Sequence, residues 1–279
     1  MSIVINTNVL ALTAQSSLNK AQAGLTQSLE RMTTGFKINR AADDAAGLSI
    51  ATNLNTQIRG SQVAQDNIQQ GVNVLQTTEG ALTTISDNIN RIRDLAAQAA
   101  NGVNSTASRL AIQSEVTARV AEINKTADAT EFNGVKLLNG SITSMRLQVG
   151  ANSNTTENSI TVSDVFGNAK CSTLGLTTPV ATAFADPAAA ASFIDECDTA
   201  LENLTEKRSN IGAYQNRLGS TLDNLKVTVE NMTASKSTIM DADIAKESST
   251  YTKQNILQQA SASLLAQANQ TPSIALTLI

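Results

Sequence analysis

Adjacent carboxylates are the first residues in this chain that could do chemistry. Asp43 and Asp44 stand side by side in NRAADDAAGLSIATNL, residues 39–54, with Gly47 close behind. A second acidic pair, Asp241 and Asp243, occurs in MDADIAKE. Such pairs serve as metal ligands, as acid/base partners, or as caps at helix starts. A calcium loop needs acidic ligands at several fixed positions around a central glycine, and neither stretch has them. The chain contains no histidine, which excludes Ser-His-Asp and Cys-His nucleophile systems and an H-E-x-x-H zinc site. Two cysteines remain, Cys171 and Cys197, without metal-site spacing. They are either free thiols or a disulfide, and the spacing leaves both open. No enzyme activity, metal or cofactor is expected. Capping is the better account of both acidic pairs: a carboxylate accepts the free backbone N–H groups of a first helical turn and favours its positive end. The alanines and Gly47 would keep that joint slim.

Composition says what kind of molecule the joint belongs to. The chain is 41% hydrophobic but only 3% aromatic, with no tryptophan. Apolar area must come from Leu, Ile, Val and Ala, which suits thin helical layers. Charged residues make up 16%, below the roughly 25% of ordinary soluble domains; Ser, Thr, Asn and Gln take their place. That surface is either an ordinary soluble one or one that packs against copies of itself. Net charge is −4 without any Lys/Arg block, which argues against nucleic-acid binding. No apolar run approaches the roughly 20 residues of a membrane span. The start MSIVINTNVLALTAQ lacks the basic region and cleavage site of a secretory signal. The expectation is a cytoplasmic protein, or one that leaves by a route needing no cleaved signal.

Periodicity supplies the elements. Near the N-terminus Ala11, Leu18, Leu25 and Met32 recur every seven residues, with Ala14, Ala21 and Ser28 between them. This is a narrow seam, half of it small residues, that needs a partner. The helix breaks at TTGFKIN. A second pattern runs from about Asp44 to about Ala100, with Ile68, Leu75, Leu82, Ile89 and Ala96 in one row and Ile85, Ile92 and Ala99 in another. At ~1.5 Å per residue it predicts a rod about 85 Å long. NGVNSTASR reads as a turn, and a shorter helix carries Ile112, Val116, Val120, Ile123 and Ala127. From residue 130 the period drops to two. EFNGVKLLNG holds two Asn-Gly hairpin signals, and Met145, Leu147 and Val149 alternate with polar residues, as do Ile160 and Val162. Residues 167–192, with Pro179 and Pro187, read as a loose loop. Helix returns near Phe193, with Leu204, Ile211, Leu218, Leu225 and Met232 in one row. After a break at TASKSTIMDAD, a last helix carries Leu257, Ala260, Leu264 and Ala268 until Pro272 ends it. The predicted fold is mainly α: long antiparallel helices and a terminal coiled coil formed by both chain ends, with a small antiparallel β-hairpin region in the middle. Residues 1–43 and 236–279 form an inner layer, 44–165 and 193–235 a rod with hairpins, and 166–192 a short variable surface loop.

The long stretches INTNVLALTAQSSLNKAQAGLTQSLERMTTGFKINRAADDAAGLSIA and DADIAKESSTYTKQNILQQASASLLAQANQTP carry a resemblance, together with GVNVLQTTEGALTTISDNINRIRDLAAQAANG, EFNGVKLLNG and RLQVGAN. In these the chain resembles bacterial flagellin, the structural subunit of the flagellar filament used for motility. The resemblance covers nearly everything except about 165–195. It implies a homopolymer whose paired terminal helices form the innermost coiled-coil layer, so that Leu18, Leu25, Met32, Leu257 and Leu264 serve filament assembly, while Asp43, Asp44 and Gly47 form the cap and hinge between layers. It implies export unfolded through the flagellar type III channel with an export chaperone. It further implies addition under a filament cap, contact with hook-associated proteins, and an extracellular location. Family motifs also place a surface for Toll-like receptor 5, an innate immune receptor, on Arg91 and Leu95 of NRIRDLAAQ and on Glu115 of AIQSEVTARV; Arg91 reads equally as a residue packing against a neighbouring subunit. Whether Cys171 and Cys197 pair is left open, since cysteines are unusual in the family. The alternative is a hook–filament junction protein with the same terminal design. The close match of INTNVLALTAQ and ILQQASASLLAQANQTP favours the filament subunit. An enzyme or adhesin in the middle segment is disfavoured by its shortness and lack of histidine.

Overall fold

The computed structural model describes residues 7–177 and 180–276, with side chains described as far as residue 270. The chain divides into two compact units, residues 1–57 with 230–279, and residues 58–229. Two long helices, α2 (Ala45–Ala99) and α7 (Pro187–Met240), contribute to both.

The first unit pairs α1 (Val9–Thr34) with α8 (Ile244–Leu276). The pairing is antiparallel with a constant register: Asn8 Nδ2 donates to Ala268 O at 2.7 Å, Gln258 donates to Gln22, and Arg31 faces Glu247 at 4.0 Å. What lies in the seam is small. Ala21 and Ser28 of α1 and Ser261 and Ala268 of α8 are buried, and Gly24 lies against the Gln254 side chain. Leu18, Leu25 and Met32 are half-buried. Leu257 and Leu264 are 43% and 63% exposed, so the leucines of the apolar face expected on α8 do not turn into the seam, although its Ala268 does. The heptad row that packs is 254–261–268, which lies three residues before each leucine and four after it. Close helix approach requires small residues there, and the larger side chains are displaced to the flanks. Helix α8 also continues past Pro272 to Leu276, where an end at that proline was expected.

The second unit holds the thick core. From α2, Ile68, Leu75, Leu82, Ile85, Ile89, Ile92, Ala96 and Ala99 are fully buried, as the two rows of the sequence required. Helix α3 (Thr106–Ala129) folds back with Val116, Ile123 and Ala127 inward, and α7 adds Leu204, Ile211 and Leu218. Strands β1 (Glu131–Phe132) and β2 (Val135–Lys136) form a tight hairpin in which Asn133 (φ 49°) and Gly134 (φ 79°) supply the two left-handed positions of its turn. The second Asn-Gly is not a hairpin; Asn139 bridges Asn168 instead. Strands β3 (Ser144–Gln148) and β4 (Ser159–Ser163) pair antiparallel, with Met145 opposite Val162 and Leu147 opposite Ile160. This hairpin, whose connection holds one turn of helix, α4 (Thr155–Asn158), lies on a notched stretch of α2. Asn67 Nδ2 donates to Gln148 O at 3.2 Å, Gly71 faces Leu147, and Gly60 faces Ala151.

The segment 166–192 is corrected by the structure. It holds two short helices, α5 (Cys171–Leu174) and α6 (Val180–Ala183), and Phe166, Ala169, Leu174, Leu176, Ala183, Phe184 and Ala190 are all buried. The Phe184 and Phe193 rings meet edge to face, with centroids 5.7 Å apart. Pro179 lies outside the described residues. Pro187, read as part of the loose loop, opens α7: a proline at the first helical position loses no hydrogen bond. Asp186 caps that end, accepting from Ala189 N at 2.7 Å.

Candidate functional site

The site of interest in the first unit is where both chain ends break their helices. Helix α1 stops at Gly35, which takes a left-handed conformation (φ 76°) and donates to Arg31 O. The next residues form an antiparallel bridge with the α7–α8 break. Phe36 pairs with Asp241, Lys37 N donates to Met240 O at 2.7 Å, and Ala242 N donates to Gly35 O at 2.8 Å. Backbone groups freed by one break are thus satisfied by the other. Nothing local in the sequence signals this pairing across some 200 residues.

The three joint residues expected from the sequence divide the work. Asp44 caps α2, its Oδ1 accepting from Gly47 N at 2.9 Å. Asp243 does the same for α8, accepting from Lys246 N at 3.1 Å. Asp43 is not a helix cap. Its Oδ2 accepts from Asn39 N and Arg40 N, at 3.1 and 3.0 Å, and its Oδ1 accepts from Gln27 Nε2 at 3.0 Å. It clamps the turn to α1. The backbone donors of Arg40 and Asn39 hold its carboxyl below the usual range against an opposing desolvation, with the Gln27 bond and the Arg31 charge adding smaller contributions. Gly47 is required for the close approach: a Cβ there would lie 2.5 Å from Asp44 Oδ2 and 2.8 Å from the buried Ile38 side chain. Arg40 forks onto Glu30 with two bonds of 3.1 Å.

Outside the seam, α1 and α8 leave large apolar side chains uncovered. Val9, Leu10, Leu12 and Leu29 on α1 and Ile256, Leu257 and Leu264 on α8 are all exposed. Within a single chain these faces have no partner among the described residues.

In the second unit, Arg91 and Glu115 are brought together. Glu115 Oε1 accepts from Arg119 Nε at 3.0 Å and from Arg91 Nε at 3.4 Å, and Arg119 also reaches Asn88 at 3.2 Å. The Arg119 hydrogen bond, then the Arg91 charge, lower the Glu115 carboxyl against desolvation. Leu95 is not part of this surface. It is buried, because its position on α2 falls on the inward stripe with Ile92, Ala96 and Ala99. Arg93, missed by sequence reasoning, forks onto Asp198 of α7 at 2.6 and 3.3 Å, 105 residues away. Cys171 and Cys197 are free and buried, so the disulfide is absent. Burial pushes the thiols up to about 11 and about 12 respectively, which keeps both protonated and unreactive at neutral pH. Among the described residues no cluster of side chains could hold a metal ion, and no helix is long and apolar enough to cross a membrane.

Comparison with known proteins decides the family. The model of the bacterial flagellin N-terminal helical region matches residues 5–143, and that of the C-terminal helical region matches residues 194–279. The chain belongs to the bacterial flagellin family. It is 40% identical to the flagellin of Halalkalibacterium halodurans, covering 99% of this chain and all of that one. It is 38% identical to the flagellin of Bacillus subtilis strain 168, covering 99% of each. Among solved structures, one named as a flagellar hook-associated protein of Vibrio parahaemolyticus is 15% identical with a TM-score of 0.59, covering 71% of this chain and 99% of that one. At that identity the likeness speaks for the fold alone, whereas the end-to-end match to flagellins places the chain with the filament subunits. Flagellins are structural proteins, so this flagellin is a subunit of the flagellar filament and not an enzyme.

Proposed function

We propose that this flagellin polymerises through the uncovered faces of its α1–α8 pair, and that the joint at Gly35–Asp44 and Asp241–Asp243 sets the angle at which that pair leaves the long helices. Residues 1–43 and 236–279 supply the innermost layer of the filament, and 44–165 and 193–235 the layer around it. The observation that carries the reading is the row of exposed Leu10, Leu12, Leu257 and Leu264 beside a seam of Ala and Ser. A pair of helices that buries so little apolar area internally has its hydrophobic gain still to make, at about 25 cal/mol per Å² removed from water. Low charge on these faces removes the repulsion that many identical copies would otherwise meet. The same weak internal packing suits export of an unfolded chain through the type III channel, held by an export chaperone and added beneath the filament cap on the outside of the cell. The Arg91–Glu115–Arg119 cluster is the surface we assign to contact with a neighbouring subunit and with Toll-like receptor 5. Hook-associated proteins are the neighbours at the filament's base.

Seeded growth tests the assembly reading. Full-length protein, dissociated by heat and cooled with filament fragments, should extend them into long filaments under the electron microscope. Chains lacking residues 1–35 or 245–279 should keep the second unit folded by circular dichroism and fail to extend the seeds. Native filaments from either truncated chain would overturn the role given to α1 and α8.

A further inference from the structure

The chain holds three Asn-Gly pairs: Asn101–Gly102, Asn133–Gly134 and Asn139–Gly140. In each the glycine carries no side chain to shield its amide, so the amide nitrogen can close a five-membered ring on the asparagine Cγ. The geometry points to Asn101, in the turn between α2 and α3, as a site of spontaneous covalent modification in the folded subunit. The Gly102 nitrogen loses its proton to hydroxide and bonds to Asn101 Cγ. The Cγ–Nδ2 bond breaks, and ammonia leaves with a proton from water, giving a cyclic imide. Water then opens the ring at either carbonyl, leaving aspartate or isoaspartate at position 101. Water is the only co-reactant.

Three features together favour this pair. First, Asn101 is exposed and its Oδ1 accepts from Val103 N at 3.1 Å, which folds the side chain forward over the Gly102 peptide and polarises its carbonyl. Second, the Gly102 amide donates to no acceptor among the described residues, and nothing lies within 4 Å of the place a Cβ would occupy, a freedom that Gly134 shares. Third, a cation lies against the same turn. Arg109 Nη1 donates to Asn104 O at 2.7 Å, and Arg109 Nε is buried with no acceptor among the described residues. Positive charge there favours the negative charge that develops as the ring closes, and then the product carboxylate.

The other two pairs are held back. Asn133 sits at φ 49° inside a hairpin turn clamped by the Phe132–Val135 pairing and by a 2.6 Å ion pair between Lys136 and Glu131. Its side chain has no polarising donor among the described residues. Asn139 has such a donor in Ser141 N, at 2.9 Å, but it is half-buried, bridges Asn168 and follows the fully buried Leu138. Neither can swing into the attack geometry without breaking structure. Each modified subunit gains a negative charge on a chain whose formal net charge is −4, and the modified fraction rises with the age of the protein.

The test uses the full-length protein held at neutral pH and physiological temperature, sampled over weeks and digested. Peptides are read by mass for the replacement of ammonia by water and by an isoaspartate methyltransferase assay. The Asn101 peptide should be modified first and the Asn139 peptide last, while the urea-unfolded chain should modify all three pairs. Gly102 is outside the left-handed region, so Gly102→Ala fits the backbone. It should slow modification at position 101 about tenfold, equivalent to about 1.4 kcal/mol of barrier, with filament growth unchanged. Earlier modification at position 133 or 139 would overturn the assignment, as would a folded chain that stays unmodified while the unfolded chain reacts, or an unchanged rate in the alanine variant.

Discussion

Asp43 shows how one carboxylate can stabilise a joint without capping a helix. Its two oxygens take two backbone donors and the Gln27 amide, and these bonds favour the charged form. The linkage sign follows. The folded-state value lies below the ordinary 3.8, so the contribution is present above that value and is lost as pH falls through the lower folded value. Asp43→Asn removes the charge while keeping shape. The variant should melt at a lower temperature than the parent above about pH 5, and the gap should narrow on acidification, since a protonated Asp43 resembles the amide. Taking the difference between the two proteins cancels the other carboxylates. A gap that stays constant from neutral to acid would show that the charge does not stabilise the turn. The adjacent Asp44 performs the capping expected of the pair, a role whose loss typically costs about 1 kcal/mol. The sequence reading identified the residues and the general role but could not divide the work, because Asp43's donors come from a turn whose shape no local pattern encodes.

On the scale of elements, α2 carries three glycines beyond Gly47 that differ only in what faces them. A Cβ on Gly80 would meet nothing within 4 Å, one on Gly71 would meet the end of the flexible Leu147 side chain, and one on Gly60 would lie 2.7 Å from Ala151 Cβ and 3.2 Å from its Cα. Alanine is the better helix former by about 1 kcal/mol. Gly80→Ala should therefore stabilise the protein by roughly 0.5–1 kcal/mol. At Gly60 the backbone of the β3–β4 connection would have to move, at about 1–3 kcal/mol, so Gly60→Ala should destabilise by roughly 1 kcal/mol net, with Gly71→Ala between them. Urea unfolding of the three variants checks the order, and a stabilised Gly60→Ala would mean that the hairpin does not rest on α2 as described. The rows Ile68–Leu75–Leu82–Ile89–Ala96 and Leu204–Ile211–Leu218 were legible because heptad burial is a property of one helix at a time. Segment 166–192 was not. Its short helices α5 and α6 are only four residues each, too brief to show a period, and Pro187 marks a start as readily as a stop. Leu95 was misplaced for a related reason: a motif matched its residue type, while the helical period put it in the core.

For the whole molecule, the contrast between the two units is a contrast in how much each buries. The second unit holds one continuous apolar cluster reaching from Ile68 to Leu218. The buried apolar residues of the first unit are few, among them Ala21, Ile38, Ala51 and Ala268, and its α1–α8 seam is lined by small and hydroxyl side chains. The sequence reading expected the end helices to be marginal on their own, but not which residues line their seam, since leucines outrank serines in any hydrophobic pattern. Local stability follows buried apolar contact, and helices with few such contacts open at a small fraction of the global unfolding energy. Amide hydrogen exchange should therefore be fast along α1 and α8 in the monomer and slow along 68–92 of α2. In the filament, protection should rise sharply in α1 and α8 as Leu10, Leu12, Leu257 and Leu264 leave water, and change little in the core of the second unit. The comparison separates two explanations of why the ends are apolar outside and small inside. If monomer and filament showed equal protection in α1 and α8, the exposed leucines would not be assembly contacts, and the thin seam alone would have to hold the ends together.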